Sequence, residues 1–352
     1  MIETFREQVR AAAAIGAKLR IRGGGTKDWY GQAFEGEILD TRGHTGIVDY
    51  EPTELVITAR CGTPLAEIEA VLAEQNQMLA FEPPHFGDSA TFGGAIAAGL
   101  SGPRRANSGA LRDFVLGAEL LDGRGDLLRF GGQVMKNVAG YDVSRLLAGS
   151  LGTLGLITEA SVKVLPRPFA ETTLRFEIGE IEAIRKLNEW GGQPLPLSAS
   201  CWHAGVLALR LSGAQAAVDA AVRSLGGQVM PDCAAFWASL REQQHAFFAG
   251  DGDGDDAALW RLSLPSTTGA VVLKGEQLIE WGGAQRWLRA GSEAAEAIRA
   301  TVKAAGGHAT LFRGGDKRVG VFQPLAPAVA RIHERLKASF DPAHIFNPGR
   351  MF

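Results

Sequence analysis

Leu19-Arg20-Ile21-Arg22-Gly23-Gly24-Gly25-Thr26-Lys27 is the stretch on which the reading of this chain turns. Leu19 and Ile21 alternate with arginines at the two-residue period of a strand, and the strand runs straight into a glycine triplet. Such a loop can bring bare backbone N–H groups close to a phosphate, because no Cβ stands in the way and positive φ costs nothing. Two further glycine clusters follow. One is Ser89-Ala90-Thr91-Phe92-Gly93-Gly94, continuing to Gly99-Leu100-Ser101-Gly102; the other is Gly149-Ser150-Leu151-Gly152-Thr153-Leu154-Gly155. Ser101, Thr26 and Thr153 offer hydroxyl donors, and Arg22 or Lys27 a charge. None of the three has the G-x-G-x-x-G spacing of a dinucleotide fold or the G-x-x-x-x-G-K-[ST] spacing of a P-loop. Taken singly, each reads more readily as a tight structural turn than as a site.

The glycines are also the outlying feature of the composition. There are 45 in 352 residues, about 13% against a usual ~7%, and they gather at these clusters. Hydrophobic residues make up 46%, which suffices for buried cores, and the length predicts two domains. A net charge of -3 gives no field for a polyanion, so nucleic acid is not an expected partner. Cys61, Cys201 and Cys233 lie far apart; they suit a reducing compartment and cannot hold an iron–sulfur cluster, which takes about four thiolates. No apolar run is long enough to span a bilayer. The opening residues 1–14, with Ile2, Phe5, Val9 and Ala12 at helical spacing, read as an amphipathic helix and not as a secretion signal. A cytoplasmic chain is expected, peripheral to the inner membrane only through partners.

Along the chain, residues 55–59 form a second predicted strand, followed by a helix that Thr63 caps and Pro64 opens, with Leu65, Ile68 and Leu72 on one face. Residues 114–121 and 127–130 flank an Asp122-Gly123 turn and predict a hairpin. Asp142 caps a short helix. Residues 155–165 alternate as a strand, placing Leu156, Thr158, Ala160, Val162 and Val164 on one face, until Pro166 and Pro168 stop it. The second half predicts strands at 172–178, 201–211, 259–264, 271–273 and 277–281, and helices near 181–190, 214–225, 293–304 and 326–339. The fold class that follows is α+β, the second domain carrying a mainly antiparallel sheet.

In their joint order the clusters resemble the vanillyl-alcohol-oxidase (PCMH-type) FAD-binding family. The shared features are a strand, Arg22-Gly23-Gly24-Gly25-Thr26, the Glu82-Pro83-Pro84 stretch, Thr91-Phe92-Gly93-Gly94, Ser101-Gly102-Pro103-Arg104, and the string from Gly149 to Glu159. Phe340-Asp341-Pro342 and Asn347-Pro348-Gly349 are similar to the end of that family's dehydrogenases. The run from Lys136 to Asp142 with Ser144-Arg145-Leu146 resembles the FAD-binding subunits of bacterial glycolate oxidases. The resemblance implies a two-part FAD-binding domain at 1–168, a cap at 169–310 and a segment at 311–352 returning to the FAD domain. It implies that Arg22, Gly23, Gly24, Gly25, Thr26 and Lys27 form the first pyrophosphate loop. Ser89, Thr91, Gly93, Gly94, Ser101 and Gly102 then line the phosphates and ribityl chain. Gly152, Thr153, Gly155 and Ile157 flank the adenine end, and Asn347 approaches the flavin ring.

Two departures from the family shape the expected function. Members with covalent FAD often place histidine after the glycine triplet, where this chain has Thr26 and Lys27, so non-covalent FAD is expected. Related dehydrogenases carry a histidine-rich segment of which Gly306-Gly307-His308 keeps a single histidine. The expectation is therefore an FAD-binding subunit of a multi-subunit glycolate oxidase. A small 2-hydroxy acid is its substrate class, and its partners are a second flavoprotein subunit and an iron–sulfur subunit. The alternatives are a self-sufficient FAD oxidoreductase and a structural subunit with a vestigial flavin site. No catalytic residue is assigned. His308 reads as a histidine opening a strand, and His203, His245, His333 and His344 lack metal-ligand spacing. The acidic run from Asp251 to Asp256 fails as a calcium loop at Asp256 and Leu262. Trp281, Arg286, Trp287 and Arg289 around Gly282-Gly283 read as two faces of a hairpin.

Overall fold

A computed structural model of the protein describes residues 1–132, 142–249 and 258–351. The stretch containing Lys136 and Tyr141 and the acidic run from Asp251 to Asp256 lie outside the described residues. The chain divides into two compact units. One comprises Met1–Leu100, Ala110–Pro166 and Pro324–Phe352, and the other Ser101–Gly109 and Arg167–Gln323. The expected division at 168 and 311 differs at two points. Residues 101–109 group with the second unit. So do residues 311–323, because the strand His308–Gly314 is hydrogen-bonded to Ala258–Ser263 along its length.

The first unit is built on a five-stranded antiparallel sheet in the order Ile47–Glu51, Val56–Arg60, Leu156–Lys163, Val115–Leu121, Leu127–Gly131. The predicted hairpin is present, with Leu121 opposite Leu127 across the Asp122-Gly123 turn. Helices Leu65–Glu74 and Phe92–Ala98 cover the sheet, burying Leu65, Ile68, Leu72, Phe92 and Ile96 against Ile57, Leu120 and Val162. Thr63 does not cap the first of these helices. Its hydroxyl instead accepts from the Gly46 N–H at 2.9 Å, and Pro64 takes the capping position. Asp142 does cap Val143–Leu147, accepting from the Arg145 N–H.

The strand Leu156–Lys163 does not keep one apolar face. A register shift between Glu119 and Leu120 puts Glu159 opposite Glu119 but Ile157 opposite Leu120. The irregularity bends the strand, as β-bulges do. Ile157, Ala160 and Val162 join the main core, while Leu156 turns into a second one. That second core holds Phe5, Val9 and Ala12 of the helix Ile2–Ile15, with Leu19, Leu39, Ile345 and Phe346. Leu19–Arg22 pairs in parallel with Glu37–Asp40. Phe346 bridges Leu19 on the other side, so the late segment lies alongside the first strand.

The second unit carries an eight-stranded, wholly antiparallel sheet. Its order is Gln228–Val229, Ala170–Glu177, Val206–Gly213, Leu197–His203, Glu276–Glu280, Gln285–Arg289, Ala258–Ser263, His308–Gly314. The predicted strand 201–211 is two strands, because Ala204 and Gly205 both take positive φ and turn the chain. Residues 271–273 form no strand. Glu180–Gly191, Gln215–Leu225 and Ala295–Ala304 match predicted helices, and Cys233–Arg241 is a helix the pattern did not reveal. Among the described residues, no helix is long and apolar enough to cross a membrane.

One buried ion pair ties the first unit together. Lys337, on the helix Pro327–Phe340, donates to the Asp341 carboxylate, to the Phe346 carbonyl at 2.8 Å and to the Thr153 carbonyl at 2.7 Å. Both side chains are almost wholly buried. Replacing Lys337 with Met leaves Asp341 charged in an apolar setting, and we expect a loss of about 3–5 kcal/mol of stability. Urea unfolding of the variant beside the wild type measures it; a loss below ~1 kcal/mol contradicts the assignment.

Candidate functional site: a glycine-walled cleft

The glycine clusters converge because two of them are packed backbone to backbone. A Cβ on Gly24 would lie 1.5 Å from the Ser89 carbonyl oxygen, so only glycine permits the contact. The Ser89 hydroxyl closes it by donating to the Gly24 carbonyl at 2.8 Å. Thr91 then caps the helix Phe92–Ala98, its Oγ1 accepting from the Gly94 N–H at 3.3 Å. The third cluster arrives from the start of Leu156–Lys163. Gly152 has φ 70°, and a Cβ there would meet the Asn347 amide nitrogen at 2.7 Å.

Between these walls is a cleft open to solvent. Arg22, Gly23, Gly24, Gly25, Thr26, Lys27, Thr91, Gly93, Gly94, Gly152, Gly155, Ile157 and Asn347 all line it. Ser89 and Thr153 do not. The first is spent on Gly24, and the second is buried with its hydroxyl donating to the Ser150 carbonyl at 2.7 Å. Ser101 and Gly102 belong to the second unit, where the Trp281 indole donates to the Gly102 carbonyl at 3.1 Å.

The wall also contains residues that sequence reasoning missed: Asp28, Thr41, Cys61 and Arg350 among them. Asp28 Oδ2 accepts from Arg22 Nε at 2.7 Å and from Arg20 Nη2 at 3.1 Å, so Arg22 enters the cleft partly neutralised. Lys27 donates to the His85 carbonyl at 3.1 Å. Arg350 is buried and donates to the carbonyls of Lys27 and Tyr30. Burial pulls its pKa down to about 10, with Asp28 opposing the shift, so it stays cationic at neutral pH. Burial pushes the Cys61 thiol up to about 12, which keeps it protonated and unreactive. The Cys61 side chain stands where a Cβ on Gly93 would be, 2.5 Å away. Arg350 directly follows Asn347-Pro348-Gly349, a signal that could have pointed to it; Cys61 and Thr41 had no sequence signal.

The remaining predicted features lie in the second unit. The Gly282-Gly283 turn joins Glu276–Glu280 to Gln285–Arg289 as a hairpin. The Arg286 side chain is fully buried, donating to the carbonyls of Thr268, Gly269 and Gly283. His308 opens its strand opposite Ser263. Among the described residues no cluster of three or more His, Cys, Asp or Glu could hold a metal.

An FAD binding domain family matches residues 2–131. Glycolate oxidase subunit GlcE of Escherichia coli (strain K12) is 51% identical over 350 residues, covering 99% of this chain and 97% of that protein. The chain belongs to the GlcE family of glycolate oxidase subunits. Glycolate oxidase subunit GlcD of Bacillus subtilis (strain 168) is 37% identical over 129 residues, covering 36% of this chain and 27% of that protein. Among solved structures, p-cresol methylhydroxylase with substrate bound superposes with a TM-score of 0.72 at 15% identity. The match covers 99% of this chain and 87% of that one. It shows that this GlcE-family chain has the PCMH-type fold expected from its sequence.

The Gly24–Ser89 contact gives a direct test. Gly24→Val places side-chain atoms on a backbone carbonyl and must push the first two clusters apart. We expect a lower melting temperature and faster proteolysis within residues 20–30; an unaltered melting curve and digestion pattern would refute the packing.

Proposed function

We propose that this chain is the FAD-binding subunit of a glycolate oxidase and that it holds FAD non-covalently in the glycine-walled cleft. One observation carries the reading: three glycine clusters, distant in sequence, line one cleft in a chain related over its whole length to GlcE. The cleft also fits a dinucleotide chemically. Close packing that admits no Cβ at Gly24 or Gly93 brings bare backbone to its walls, and the buried Nε of Arg350 has no hydrogen-bond partner among the described residues. Fixed backbone dipoles supplemented by Arg22 and Lys27 suit a diphosphate, which needs neutralisation without a broadly basic surface.

In this reading Arg22, Gly23, Gly24, Gly25, Thr26 and Lys27 hold one side of the diphosphate, and Thr91, Gly93 and Gly94 the other. Ser89 acts through Gly24. Gly152, Gly155 and Ile157 border the adenine end, and Asn347 orients the ring end. Bound FAD supplies two-electron redox chemistry for oxidation of a 2-hydroxy acid, while the protein orients it and sets its potential. Thr26 and Lys27 follow the triplet where covalent attachment would want a histidine, which supports a non-covalent bond.

The division of labour proposed for the complex rests on the described lining of the cleft. Oxidising an alcohol needs a base for the hydroxyl proton, and the described cleft lining contains no histidine. We assign the primary hydroxy-acid site to a second flavoprotein subunit, and to this chain a relay of electrons towards an iron–sulfur subunit. Cys61 and Cys201 are buried singly and Cys233 is remote in sequence, which supports placing the cluster in a partner.

The purified chain should be yellow and, after acid precipitation, leave its flavin in the supernatant. Colour retained by the pellet would overturn the non-covalent assignment, and a colourless chain that takes up no FAD would overturn the function. In anaerobic titration, glycolate should bleach the flavin of the complex but not of the isolated chain. Bleaching of the isolated chain would make it a self-sufficient oxidoreductase.

A further inference from the structure

Segment 345–350 grips the first glycine loop at both of its ends. Upstream of the loop, Leu19 N donates to the Ile345 carbonyl at 2.7 Å and Asn347 N to the Leu19 carbonyl at 2.9 Å. The Asn347 side chain then accepts from Ile21 N at 2.9 Å. Downstream, one terminal nitrogen of Arg350 donates to the carbonyls of Lys27 at 3.1 Å and Tyr30 at 2.9 Å. Gln32 N returns a bond to the Arg350 carbonyl at 2.9 Å. The same segment reaches the third cluster, where Asn347 Nδ2 donates to the Leu151 carbonyl at 2.7 Å.

We infer that Arg350 is a positioning residue that latches the loop of residues 23–28 over the cofactor, so that FAD leaves the cleft only when this latch loosens. The inference rests on the cleft being the FAD site. A loop of consecutive glycines has the largest conformational entropy of any chain segment and does not hold a fixed array of N–H groups by itself. Fixing both ends adds to the constraint of the Gly24–Ser89 contact and the Lys27–His85 bond, and preorganised donors bind without the ordering cost. At the upstream end the constraint is strand pairing. At the downstream end it comes from Arg350, whose guanidinium lies 4.0 Å from the centre of the Phe34 ring and bonds the carbonyls of Lys27 and Tyr30. The planar fork matters as well as the charge, since a lysine ammonium on a flexible stem does not reproduce the geometry.

The test uses the full chain as wild type, Arg350→Ala, Arg350→Lys and Asn347→Asp, with FAD release followed by the recovery of flavin fluorescence after dilution. We expect release from Arg350→Ala to be faster by about tenfold or more, the loss of charge-assisted hydrogen bonds to two carbonyls. Arg350→Lys should recover only a minor part of this, and melting of the apo-chain should move less than melting of the FAD-bound chain. Asn347→Asp loses the bond to Leu151 while keeping an acceptor for Ile21, and should also hasten release. If Arg350→Ala does not fold, Arg350→Lys and Asn347→Asp carry the test. Release unchanged in the variants overturns the latch, as does equal lowering of the apo and FAD-bound melting temperatures, which marks a purely structural staple. Full rescue by lysine with strong salt dependence replaces it with a direct phosphate contact. A wild-type chain that binds no FAD at all instead defeats the functional reading beneath it.

Discussion

The first unit depends on a single ammonium group. Lys337 has three N–H donors and no acceptor, and its burial costs several kcal/mol unless each donor is met. Its partners come from three different places: the Thr153 carbonyl at the third glycine cluster, the Phe346 carbonyl beside the first strand, and the Asp341 carboxylate at the end of its own helix. Asp341 in turn accepts from the N–H groups of Ile345 and Phe346, which turns the chain from the helix into the segment that pairs with Leu19. Burial lowers the Lys337 pKa, and the carboxylate opposes the shift. The pair contributes less through its own attraction than by making any other arrangement of these segments leave a charge unpaired.

The same economy governs charge in the cleft. Arg350 feels the charge of Asp28 and Lys27 stands at the same loop, while the guanidiniums of Arg20 and Arg22 both pair with that one carboxylate. Without Asp28 the guanidiniums would repel one another and the loop would splay. With it they share one anchor and still leave an excess of positive charge. An anionic diphosphate is matched by that local excess even though the chain as a whole carries a net charge of -3. Local sign and global sign are separate quantities, and the global one excludes only long-range attraction of polyanions.

The fold was legible in the sequence wherever a short-range pattern decided it. The hairpin about Asp122-Gly123, the buried face Phe5, Val9 and Ala12, and the helix opened by Pro64 were all readable from local periodicity and turn chemistry. The misses came where a tertiary contact outbid the local rule. Thr63 gave its hydroxyl to Gly46 instead of capping. The strand through Leu156 switched faces at a bulge that its own residues do not announce, and residues 201–211 broke at Ala204, a residue with no turn preference. At the site, glycine clusters were visible because close backbone approach leaves a compositional trace. Asp28, Cys61 and Thr41 were invisible because charge anchoring and van der Waals support leave none.

The topology also orders the events by which the cleft can form. Its first wall begins at Ile21 and is fixed by Asn347, 326 positions later. Contacts of such separation are made late, since loop closure must be met before they return any free energy. The core around Ile68 and Phe114 takes its buried residues from positions 57–164, and Leu336 and Phe340 of the late helix pack against it. Pairing of the segment 345–350 beside Leu19 therefore supplies the long-range contact that sets the first wall of the cleft in place.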